Sequence, residues 1–362
     1  MSKHGLTPIK LCTAIFCLFL MVGCVISPRR TVGGGGGTPT PTPTATPTPN
    51  PAATGKLYVS NAGSDSILRF DNAFTDNGNV TPAATISGGN TTLNFPGFIT
   101  IDTAADRLYI ANTNNLSILI YDNISTRNGN VAPQRTITGV STNLLSPTDV
   151  SLDTVRDLLY VADDQNIIVF ASASTATGNV PPARTLNTNF SNVVSSIFID
   201  AANDRLYAAD SGGNAIDVYD NASTLATGAI TPSRTITGVS THLSNPGGVQ
   251  VDGLGRLIVS NLSPGAPSIT IYTNAAGANG DQAPVAEIVG SGTGMATPDQ
   301  IVVDRTGTGT LYNADPIAAR IAIFSNLSTA NGNIAPNRSI TGANTSLTTA
   351  GSPVGVALDN TR

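Results

Sequence analysis

The chain has no tryptophan, a single glutamate (Glu287) and few charges of either sign; only 11 % of its 362 residues are Asp, Glu, Lys or Arg, and 5 % are aromatic. Each shortage excludes something. Long solvent-exposed helices draw on Glu, Lys, Ala and Leu, so the scarcity of two of these, beside 36 glycines and 23 prolines, favours short strands and many turns. Two histidines, His4 and His242, with only His242 outside the apolar leader, leave little material for histidine-based catalysis or metal binding. Of 18 basic residues, Lys3 and Lys10 fall in the leader, leaving 16 against 23 acids and no basic cluster. Nucleic acid is therefore not an expected partner. All three cysteines (Cys12, Cys17, Cys24) lie in the first 24 residues. The rest of the chain can hold neither a disulfide nor a cysteine zinc site.

What is present begins with a leader. Lys3 and Lys10 precede the apolar run "LCTAIFCLFLMV" (11–22), too short to span a bilayer comfortably and of secretory-signal length. It ends in "MVGC" (21–24), which resembles a bacterial lipobox, with Met21 where Leu is more usual. A plain signal peptide cut elsewhere is the alternative. The resemblance implies removal of residues 1–23, lipid attachment at Cys24, and an extracytoplasmic protein held at the membrane by acyl chains. Val25, in place of the Asp that retains lipoproteins at the inner membrane, implies the outer membrane of the cell envelope. Residues 24–55 then form a tether: "GGGGGTPTPTPTATPTPNP" (33–51) is flexible at first, then extended, and the stretch from Pro39 would reach about 40 Å.

From Lys56 onward one phrase recurs: "KLYVSN" (56–61), "RLYIAN" (107–112), "LLYVAD" (158–163), "RLYAAD" (205–210), "RLIVSN" (256–261) and "TLYNAD" (310–315). Its leucines are spaced by 51, 51, 47, 51 and 54 residues. Every copy but the first carries a preceding strand ending in Asp, such as "GFITID" (97–102), and all six carry a following Ile-x-Val-aromatic-like strand such as "ILIY" (118–121) and a last strand such as "RTITG" (135–139). Four short strands per unit and six units describe a six-bladed β-propeller over 56–362, all-β. The first unit has no Asp-ending strand before it, and the missing piece is "PVGVALD" (353–359). The C-terminal strand is therefore expected to complete the N-terminal blade and close the ring. "NGN" or "TGN" (77–79, 128–130, 177–179, 331–333) marks the turn before four of the six last strands. A proline ahead of that strand and Arg135, Arg184, Arg234 and Arg338 within it read as outer-edge devices.

These phrases resemble NHL-type and related YVTN-type bacterial propeller repeats across about residues 56–359. The resemblance implies the fold; members include binding scaffolds, lactone hydrolases and lyases, so it does not choose an activity. The lactonases' metal set of Glu, Asn and Asp is not matched, because Glu287 lies on a last strand. In such propellers the loops after the second strand and the blade-to-blade linkers gather at one mouth, which makes Asp163 and Asp210 candidate ligand contacts. One position at the start of each inner strand is expected to face the channel: Phe98, Asp149, Ser196, Gly248, Gln300 and Gly355. Asp149, Asp299 and Gln300 form the polar group there, suited to calcium, magnesium or a sugar, with Phe98 for stacking. The competing reading is that these aspartates cap turns, as the repeated Asp102, Asp153, Asp200, Asp252, Asp304 and Asp359 are expected to do. No catalytic residue and no dedicated metal site is assigned. The sequence favours a monomeric binding or scaffold protein, taking a protein or saccharide ligand, over a metal-assisted hydrolase or lyase.

Overall fold

In the computed structural model, which describes residues 54–263, 265–305, 309–347 and 353–362, the recurring phrase forms the second strand of each of six sheets. The leader, the lipobox and nearly all of the tether lie outside the described residues. Nearly every position of that strand is buried, because each sheet is sandwiched between two others. Alternation then sends successive side chains to different neighbours. Leu57 and Val59 pack into the core shared with the last blade, and Tyr58 into the core shared with the next. Among the described residues six such cores exist, one at each seam between adjacent blades.

Numbering blades by the phrase, blade 2 runs from the inside outward as Pro96–Asp102, Arg107–Asn112, Ser117–Asp122 and Arg135–Thr138. Blades 3 to 6 repeat the order, with inner strands Pro147–Asp153, Val194–Asp200, Pro246–Val251 and Ile301–Asp304. Blade 1 takes its inner strand from the chain's other end. Gly355–Asp359 pairs antiparallel with Lys56–Asn61, from Lys56 opposite Asp359 to Ser60 opposite Gly355. The Gly55 N–H also donates to the Arg362 carbonyl at 3.0 Å, so the ring's packing begins just before Lys56. The expected closure is present.

The turn before each outer strand does more than reverse the chain. Gly78, Gly129, Gly178, Gly280 and Gly332 each form a parallel bridge to an isoleucine in the outer strand of the preceding blade. Gly78, at φ 75°, gives its N–H to Ser339 and its carbonyl to the Thr341 N–H. The following side chain clips the next segment: Asn130 Oδ1 accepts the Asn90 N–H at 2.8 Å, and Asn179 Oδ1 that of Ser141 at 2.7 Å. At the seam between blades 3 and 4, Ala229 takes this place, and Gly228–Ala229 instead adds a short parallel fifth strand to blade 3.

The outer-strand arginines prove to be latches as well as edge residues. Arg135 donates to the Ser174 carbonyl of the next blade at 2.6 Å, and Arg338 to those of Ala73 and Asp76, both at 2.9 Å. Arg184 likewise reaches Ser223, whereas Arg234 stays with Asp220 of its own blade. The covered edge explains why a strand with few apolar residues remains ordered.

Candidate binding site

Every second residue of an inner strand faces the ring's axis, so the six strands build layers across the channel. The first layer holds Phe98, Asp149, Ser196, Gly248, Gln300 and Gly355, and all six are buried. Here the strands come closest. A Cβ added at Gly248 would lie 2.7 Å from the Asp299 carbonyl, and one at Gly355 only 2.9 Å from Gln300 Oε1. Polar groups stitch the layer together. Asp149 Oδ2 accepts the Ser196 hydroxyl and the Ile197 N–H, each at 2.8 Å, while Oδ1 accepts the Val150 N–H at 2.7 Å. Gln300 Oε1 accepts the N–H groups of Val356 (2.8 Å) and Ile99 (3.2 Å), and its amide nitrogen donates to the Ile99 carbonyl at 3.1 Å. The layer expected to be a polar mouth is thus a hydrogen-bonded collar.

Burial pushes the Asp149 carboxyl up to about 7, against the three hydrogen bonds that favour its anion. Asp299, just before the inner strand of the last blade, is half-buried and takes no hydrogen bond on its carboxyl among the described residues. Burial, with the negative charges of Asp149 and Asp315, raises it to about 8. The oxygens that would serve a cation at Asp149 and Gln300 already accept backbone or hydroxyl protons. Among the described residues no group of three or more His, Cys, Asp or Glu side chains lies together.

The other candidates on this face are also structural. Asp163, fully buried, accepts the N–H groups of Leu145 and Ser146 in the linker from the preceding blade. Asn112, Asn261 and Asp315 hold the equivalent linkers in the same way. Asp210 departs from them because the blade 3–4 linker is shorter; it accepts the N–H of Gly213 in its own loop at 2.9 Å. Four of the repeated aspartates at the inner-strand ends, Asp102, Asp153, Asp252 and Asp359, cap turns as expected, Asp102 holding Ala104 and Ala105, and Asp252 holding Leu254 and Arg256; Asp200 accepts the Asn203 side-chain amide instead.

The channel opens at the opposite end. A cavity of about 570 Å³ is lined by the far halves of the inner strands and the turns that follow them, with Gln300 also contributing to its wall. Its second layer is Thr100, Ser151, Phe198, Gln250, Val302 and Ala357, two residues on from the collar. Ser151 Oγ accepts the Ile199 N–H at 2.9 Å. At the rim the Arg305 guanidinium stands 5.6 Å from the centre of the Phe198 ring, within cation–π range. The signal for these residues was in the sequence, two places beyond the positions singled out; what was hidden was which end of the channel is narrow.

No protein-family model and no curated protein matches the chain. Solved structures do resemble it. A chain of a nidogen–laminin complex gives a TM-score of 0.57 at 14 % identity, over 84 % of this chain and 98 % of that one. A chain of hydrazine synthase from Kuenenia stuttgartiensis gives 0.50 at 15 %, over 78 % of this chain and 79 % of that one. At such identities the likeness shows the fold: the chain is a six-bladed β-propeller.

Proposed function

We propose that this protein is a lipid-anchored binding or scaffold protein of the bacterial cell envelope, related to the NHL and YVTN-type propellers, that takes its ligand at the open end of the ring. The observation that carries the reading is the asymmetry of the channel: a collar at one end and a 570 Å³ funnel at the other, a volume typical of ligand sites. Six blades latched to one another hold that funnel in a fixed shape, which lowers the ordering cost of binding. The lipobox-like "MVGC" and the long tether support presentation at a membrane surface. That a similar fold occurs in the nidogen–laminin complex is consistent with a role in recognition. The metal-assisted alternative has no comparable support, because the oxygens of two of its three donors, Asp149 and Gln300, are engaged in the collar.

Two measurements test this. Cys24→Ala should move the protein from the membrane to the soluble fraction; unchanged fractionation removes the anchor. With Cys24 lipidated the mature chain has no free thiol, so single cysteines report cleanly. Ala104→Cys beside the funnel should react more slowly with a maleimide in envelope fractions than after purification, while Asn114→Cys on the collar face should not. Equal protection at both, or none at Ala104, overturns the funnel as the binding face.

A further inference from the structure

From the balance of unused polar groups in the funnel, and resting on its being the binding face, we infer that its ligand is a small uncharged polyhydroxylated molecule of the mono- or disaccharide class. The rim offers charges of both signs. Asp153, Asp252 and Asp359 are held by Arg156, Arg256 and Arg362 respectively, and Asp304 takes the Asn360 amide. That leaves Asp102 and Asp200 without an ion pair among the described residues. The capping bonds use Oδ1 of Asp102, and the Asn203 side-chain amide donates to Oδ2 of Asp200, so one oxygen of each remains without a hydrogen bond. Arg305 has no hydrogen bond or ion pair with any described residue, and its guanidinium stands over the Phe198 ring. Deeper in, the Thr100 hydroxyl and the Gln250 amide also have no protein partner among the described residues.

The chemistry of a ligand follows from this set. An anion would suit Arg305 but face the open oxygens of Asp102 and Asp200. An amine would suit the two carboxylates but bring like charge to Arg305 and leave the amide and hydroxyl against hydrocarbon. An apolar molecule would desolvate all of them without replacing their hydrogen bonds. Hydroxyl groups both donate and accept, so a polyol can donate to Asp102 and Asp200 and accept from Arg305, with Gln250 and Thr100 serving in either sense. The C–H faces of a sugar ring also match the apolar wall made by Phe198, Val302 and Ala357. The groups stand on different blades, so no single loop positions them; the ring does.

The test uses the full chain in detergent, with saturation-transfer NMR against maltose, cellobiose and lactose as neutral probes, and glucuronate and putrescine as charged ones. At least one neutral sugar should bind at roughly 10 mM or below, more tightly than either charged probe. Gln250→Ala and Arg305→Ala should each weaken it about tenfold, about 1.4 kcal/mol, while Asn114→Ala changes nothing. Thr100→Val serves as a second variant, because none of these side chains makes a hydrogen bond that folding needs. Absence of sugar binding, binding indifferent to the funnel variants, or preference for glucuronate or putrescine overturns the inference. Binding of a charged probe sensitive to Gln250→Ala would leave the funnel as a binding site and correct only the ligand class; loss of the Ala104→Cys protection would remove the site itself.

Discussion

Gln300 Oε1 accepts the N–H of Val356 at 2.8 Å, joining the inner strand of the last blade to the C-terminal strand that completes the first. The same oxygen takes the Ile99 N–H of blade 2, so one side chain ties three blades at the narrow end of the channel. Both backbone donors belong to buried residues. Gln300→Leu keeps the bulk but leaves them unpaired, at about 1–3 kcal/mol each. A lower urea midpoint with an unchanged slope is the expected result; an unaltered midpoint would show that the collar relaxes to find other acceptors.

The strand that Gln300 secures should be indispensable to the whole ring. Val356 and Leu358 are both buried at the blade 6–1 seam, and each contributes about 1.5–3 kcal/mol by burial alone. Five residue pairs join that strand to Lys56–Asn61. Against a total stability of about 5–15 kcal/mol, removing residues 353–362 should abolish cooperative folding. Circular dichroism melts read the loss, and adding a peptide of residues 353–362 should restore the transition. A truncated chain that melts as the full one does would contradict closure by strand exchange between the termini.

One blade seam carries an avoidable cost. Asn313 is fully buried, and neither its amide oxygen nor its nitrogen has a hydrogen-bond partner among the described residues. The aligned positions in the other blades are Val59, Ile110, Val161, Ala208 and Val259, all buried. The architecture therefore accepts an apolar side chain there. Asn313→Val should stabilise the protein by roughly 1–3 kcal/mol in urea titrations, as two desolvated polar atoms are removed. Destabilisation would mean that a buried water occupies the seam and completes the amide's bonds.

The blades and their closure were legible because they rest on local signals: the spacing of Leu57, Leu108 and Leu159, and an Asp-ending strand absent at one end and present at the other. The capping work of Asp102 and Asp252 was legible for the same reason, since an aspartate bonds to backbone two or three residues on. The open end of the channel was not. Alternation says that Asp149 and Ser151 both face the axis, but not how near the opposite strands come at each level. That distance is fixed by pairs far apart in the chain, such as Gly355 against Gln300 and Gly248 against Asp299. The latching role of Arg135 and Arg338 was hidden likewise, because their acceptors belong to the next blade. Asp163 looked like a loop residue free to bind, and its two acceptor oxygens are used 17 and 18 residues back along the chain.

The collar carboxyls give stability a defined dependence on pH. Asp149 and Asp299 are raised to about 7 and about 8 in the folded protein, from an ordinary value of 3.8 that the unfolded chain approaches. Between those values the folded state holds protons that the unfolded state has released. Their contribution is therefore complete below about pH 4 and is lost as pH rises toward 8. Asp220 works in the other direction: hydrogen bonds from Arg234, then Arg205, hold it down to about 2, so its contribution is present above 3.8 and lost as pH falls. The two trends place the highest urea midpoint near pH 4 to 5, declining to pH 8. Asp299→Asn, which removes a carboxyl with no hydrogen bond to lose, should flatten the decline above pH 5, with little change below it. A midpoint that instead rises from pH 5 to 8, or an Asp299→Asn profile parallel to the parent's, would show that these carboxyls ionise at their ordinary pH and that the collar admits water.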